Sequence, residues 1–115
     1  MTIDVAIHQY DQATTVSVRG RVAGSAIPAF ERTVLDVIDG ADRTVVIDCT
    51  NLTYISSSGL RVLVLALKHA RAHQVGIKLI CPDGFVRSVL TITGLDRFFG
   101  FESGLAVAFV ATEAA

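Results

Sequence analysis

Three consecutive serines, Ser56-Ser57-Ser58, stand directly before Gly59 and a strongly apolar stretch beginning at Leu60. A serine hydroxyl at a helix start accepts a hydrogen bond from one of the backbone N–H groups that have no intrahelical partner. The same N–H groups, together with the helix dipole, favour negative charge. Two chemistries fit the run. One is simple capping by a turn of small residues. The other is phosphate acceptance, which would add about −1.5 to −2 charge at neutral pH and rewrite any surface docked there. The serines alone leave both open.

Other reactive side chains form weaker constellations. His69 and His73 are four apart on a predicted helix, a spacing able to share a metal. The residues between them are Ala70-Arg71-Ala72, no third ligand is evident in the sequence, and solvent-facing histidines are the simpler reading. Asp48 closes an apolar strand pattern where a catalytic acid can sit. A hydrolase would also need a histidine near the serines, and His8 is the residue a fold would have to bring there. Asp36, Asp39, Asp42 and Arg43 read as a solvated helix end and loop. Cys49 and Cys81 each follow a strand-like run and are expected as reduced, buried thiols. The glycines match neither phosphate-loop pattern, so no nucleotide cofactor is expected, and no metal.

The elements that must position these residues are legible from periodicity. Ile3, Val5 and Ile7 alternate with Asp4 and Ala6, and Val16 and Val18 alternate with Ser17 and Arg19, which predicts an opening hairpin. Ile27, Phe30, Val34, Val37 and Ile38 recur at helical spacing, with Ser25 as the expected cap and Gly40 as the stop. Thr44 to Cys49 reads as a buried strand, and a helix is predicted from about Ser57 to His73. Its face Leu60, Leu63, Val64, Leu67 and Ala70 is expected to pack on the sheet. Arg61, Leu65, Lys68 and His69 fall on the opposite side, with Val62 at the margin. Leu65 with Val62, beside the serine turn, is then a candidate docking patch.

Ile77 to Cys81 is the next strand. Asp83 is expected to cap a short helix carrying Phe85, Val86, Val89 and Leu90. Phe98 to Phe101 is a brief strand candidate, and Ser103 is expected to cap a last helix through Ala111. The order β-β-α-β-α-β-α-β-α predicts an α/β fold: a mixed, mostly parallel sheet of about four to five strands with about four helices.

With 115 residues, 51% hydrophobic and 18% charged, the chain fits a single domain, residues 1–115, with a substantial core. A net charge of −1 offers no basic excess for nucleic acid. No apolar run approaches the roughly 20 residues that span a bilayer, and no signal-peptide pattern opens the chain, so a cytoplasmic location without membrane insertion is expected.

Several segments together resemble the STAS family, and within it the single-domain anti-sigma-factor antagonists. They are Val18-Arg19-Gly20-Arg21-Val22, the stretch from Val45 to Ile55, Ser57-Ser58-Gly59-Leu60, and the stretch from Leu90 to Phe99. The resemblance implies helices largely on one side of the sheet. It implies a partner that is an anti-sigma factor with serine kinase activity, a serine phosphatase that reverses the modification, and release of a sigma factor. It places phosphorylation on Ser58, with Ser57 as its neighbour. Partner contacts then fall on Ser56, Ser57, Ser58, Gly59, Arg61, Val62, Leu65 and Ala23. The family's usual aspartates before the serine pair and after the second strand are Ser56 and Ala23 here. A non-phosphorylated STAS scaffold, for instance a subunit of a lipid-transport ABC system, is the alternative. The apolar segment Leu105 to Val110 is compatible with a monomer or a weak homodimer.

Overall fold

Alternating β-branched residues build the sheet, and helical apolar repeats cover it. The computed structural model describes residues 3–10, 13–82, 84–94, 99–102 and 105–108. In chain order the elements are β1 (Ile3–Gln9), β2 (Ala13–Val22), α1 (Ile27–Asp39), β3 (Thr44–Ile55), α2 (Ser57–Ala72), β4 (Ile77–Pro82), α3 (Phe85–Ile92), β5 (Phe99–Glu102) and β6 (Leu105–Ala108). The spatial order is β1-β2-β3-β4-β6-β5. β2, β3 and β4 are parallel to one another, whereas β1 and β6 join antiparallel on either side of them.

Register shows how the core is made. Thr14, Val45 and Ile77 lie side by side across the sheet, and Val16, Ile47 and Leu79 form the next row. All six are buried, while the intervening residues Thr15, Val46, Ser17 and Asp48 are only half-buried and Lys78 is exposed. One face of the sheet therefore carries the core, as the period of two along each strand requires. Phe30, Val34 and Ile38 of α1 and Leu60, Val62, Leu63, Ala66 and Ala70 of α2 close over that face.

Three expectations are corrected. Ser25 caps nothing: Gly24–Ala26 forms a 3-10 turn, and α1 starts at Ile27 after Ala26 with no side-chain cap. The backbone bond from Ala26 N to Ala23 O, and a proline at the second helical position with no N–H to satisfy, reduce the need for one. Residues 105–108 are a strand and not part of a last helix. A short apolar run suits either state, and the unpaired edge of β4 decides it by pairing Cys81 with Ala106. The buried face of α2 is also turned from the expected one. Val62 is 0% exposed and lies in the core, while Val64, Leu65 and Leu67 are half-buried. This helix packs against α1 as well as the sheet, which widens its buried sector. Asp83, Phe98 and Ser103 lie outside the described residues.

Both thiols are buried. Burial above all, then the neighbouring Cys81 and the Asp48 carboxylate, push the Cys49 thiol far up. Burial also pushes Cys81 up to about 11, against the opposing pull of Arg87. Since the thiolate is the nucleophile, Ellman's reagent at pH 8 is expected to label neither cysteine of the folded protein and both after denaturation. Rapid labelling of the native chain would contradict this placement.

Candidate functional site: the serine turn on α2

The turn is held by the ends of two parallel strands. β2 is shifted in register against β3 between Ser17 and Arg19 and again between Gly20 and Arg21. Gly20 takes a φ of 104°, which a glycine tolerates. The bulged strand ends at Val22, paired with Ile55, and the Ser56 amide donates to the Val22 carbonyl at 2.9 Å.

Ser56 is the helix cap. Its backbone is extended, and its Oγ accepts from the Gly59 amide at 3.2 Å. Gly59 is buried because α2 enters close above the strands. A Cβ built there would meet Ile55 Cγ1 at 2.6 Å and Val22 Cγ1 at 2.8 Å. No side-chain carbon fits, so the turn is seated directly on the ends of β2 and β3.

The capping task falls to Ser56 and frees the next two residues. Ser57 and Ser58 are exposed, and their hydroxyls make no hydrogen bond among the described residues. No acidic residue occupies the first turn of α2. Arg61, also exposed, is three residues beyond Ser58, on the same side of the helix. An anion on Ser58 would meet the positive end of the helix dipole and a neighbouring guanidinium, with no carboxylate of that turn to repel it.

The other candidate residues divide clearly. Ala23 is half-buried at the end of β2 and Leu65 is half-buried, two turns into α2 from Ser58. Val62, in the core, presents nothing to a partner. His8 is paired with Thr15, seven residues back along β2 from Val22, or about 20 Å at the rise of a strand. It does not reach the serines. The Asp48 carboxylate instead accepts from Thr50 N at 2.9 Å and Thr50 Oγ1 at 2.5 Å, a local turn.

A stack beside the turn was not anticipated. The Arg21 guanidinium lies 4.2 Å from the Tyr54 ring centre, and Tyr54 stacks on Phe85 with centroids 5.5 Å apart. Phe85 is 53% exposed. Tyr54 is two residues before Ser56, so this cation–aromatic platform adjoins the serine turn. Periodicity gives no signal for it, since the strand pattern of β3 is legible only from Thr44 to Cys49 and Tyr54 lies in the polar, turn-prone stretch beyond, which the structure makes the second half of β3.

The architecture defines a class: a small α/β domain that presents a serine-capped helix start at the ends of its parallel strands. The chain belongs to the STAS domain family, whose pattern matches residues 4–108. It is 30% identical over 95 residues to BtrV of Bordetella bronchiseptica, named as an anti-sigma factor antagonist, covering 83% of this chain and 82% of that protein. Its fold is similar to an anti-sigma factor antagonist from Mycobacterium paratuberculosis, with a TM-score of 0.71 and 23% identity over 83% of this chain and 80% of that one. It is also similar to the Bacillus cell fate determinant SpoIIAA in its phosphorylated form, with a TM-score of 0.64 and 18% identity over 82% and 86% of the two chains.

Proposed function

We propose that this protein is an anti-sigma-factor antagonist whose grip on its partner is controlled at Ser58. The observation that carries the reading is the exposed Ser58 hydroxyl, without a hydrogen-bond partner among the described residues, at a helix start whose first turn has no acidic residue. The name of the Bordetella relative and the phosphorylated state of the SpoIIAA structure support it. The partner is an anti-sigma factor with serine kinase activity. It contacts Ala23, Ser56, Ser57, Ser58, the backbone at Gly59, Arg61 and Leu65. Unphosphorylated protein holds that factor and frees the sigma factor; phosphate on Ser58 breaks the complex, and a serine phosphatase restores it.

The energetics favour such a switch. A phosphate on Ser58 is accommodated within its own chain by the α2 amides and Arg61. A partner surface shaped to neutral serines must instead bury that charge or withdraw. With a candidate kinase-type anti-sigma factor, Ser58→Glu is expected to weaken binding by on the order of tenfold or more relative to Ser58→Ala. Titration calorimetry reads this directly, and equal affinities of the two variants would sink the switch. Ser56 and Ala23 in place of the family's aspartates favour a second reading, a STAS scaffold using this surface without phosphorylation. Mass spectrometry of Ser58 in protein from its own host separates the two.

A further inference from the structure

At the opposite end of α2 the fold completes a ligand set that the sequence showed only in part. Asp39 is the last residue of α1, His69 lies in the last turn of α2, and His73 is the residue that ends it. One donor atom from each lies within 4.8 Å of the others. His69 Nε2 is 2.6 Å from Asp39 Oδ1, and His73 Nε2 is 3.6 Å from the same oxygen. We propose that Asp39, His69 and His73 bind a divalent ion of the zinc class and thereby tie the end of α1 to the end of α2.

Several observations converge on this ion. The Nδ1 of His73 lies 3.0 Å from the His69 carbonyl oxygen, which can accept from a proton-bearing Nδ1, and Nε2 is the ring nitrogen that faces Asp39. Tetrahedral zinc with ligand bonds of about 2.0–2.1 Å holds its donors roughly 3.3 Å apart. The Asp39–His73 spacing is close to that value; the Asp39–His69 contact is a hydrogen bond here, which the ion would replace as the pair opens by less than an ångström. Asp39 is exposed at a helix end and can make that adjustment.

The end of α2 is also held in place. Val75 N donates to the Ala70 carbonyl at 2.8 Å and Gln74 N to the Arg71 carbonyl at 3.2 Å, with Gln74 at a φ of 58°. This double closure fixes the turn from which both imidazoles project. Both helices also direct their negative ends to the cluster, which favours a cation. Two imidazoles and one carboxylate suit zinc, cobalt or nickel better than calcium or magnesium, which prefer all-oxygen sets. With three protein ligands at the surface, water completes the coordination.

Zinc chloride added to the intact protein is expected to bind one-to-one in titration calorimetry and to raise the melting temperature, because an ion held only by the folded state stabilises it. His73→Gln and Asp39→Asn change exposed side chains and leave the fold in place. Each is expected to weaken zinc binding by on the order of tenfold or more. Magnesium chloride is expected to leave the melting temperature unchanged. Absence of saturable zinc binding overturns the proposal, and so does zinc binding that persists undiminished in both variants, which would place the ion elsewhere. The outcome is independent of Ser58 and of any anti-sigma factor.

Discussion

Val62→Asp is expected to unfold much of the protein, lowering its stability by about 4 kcal/mol or more. Val62 is fully enclosed in the hydrophobic core. The loss would be a large part of the roughly 5–15 kcal/mol that holds a domain together. Arg61→Asp, one residue earlier and exposed, provides the contrast: stability within about 0.5 kcal/mol of the parent, but altered partner binding. Urea melts of the two variants decide the matter. A Val62→Asp protein that melts like the parent would return Val62 to the surface patch expected from its position beside the serines.

The second large effect falls on Gly59. Its backbone is helical, so the constraint is space and not conformation. Gly59→Val is expected to cost about 3 kcal/mol, the upper part of the usual range for over-packing a well-filled site. The clash atoms are Ile55 Cγ1 and Val22 Cγ1, both within 3 Å of where a Cβ would sit. Relief requires α2 to lift from β2 and β3, which displaces the serine turn that rides on it. A cycle with Ile55→Ala tests the cause, since that change removes one of the struck atoms. The double variant is expected to be more stable than the two single losses sum to, and simple additivity would argue against the close seating of α2.

Particular residues show how much of this was legible beforehand. The opening hairpin, the buried first half of β3 and the start of α2 in the serine run all follow from local periodicity and capping chemistry, and the structure has them; β3 runs on to Ile55 through polar residues that read as a turn. Ser56 as the cap was one of three equivalent choices until the fold placed its amide under the Val22 carbonyl. The facing of α2 differs from the expected one because this helix packs on α1 as well as on the sheet, burying Val62 and Ala66, and a single helical wheel has only one neighbour in it. The strand at 105–108 depended on a vacant edge of β4, a fact about tertiary pairing. Asp39 is thirty residues from His69 in the chain and meets it only because α1 and α2 pack together. Helical spacing pairs the two histidines, with solvent exposure as their simpler reading; only topology brings Asp39 to them.

The parallel registers at the centre of the sheet also govern the time course of folding. Ala13 pairs with Thr44 and Val45 with Ile77, so each central pairing closes a loop of about thirty residues before its first ladder bond forms. A hairpin can zip β1 onto β2 early, but β3 and β4 must wait for α1 and α2 to cross over and dock. Such non-local pairing places a mixed α/β domain between fast helical bundles and slow all-β folds in folding rate. The close approach at Gly59 is where the second crossover leaves the sheet, so the glycine that seats the finished helix also stands at the step that chain collapse must complete.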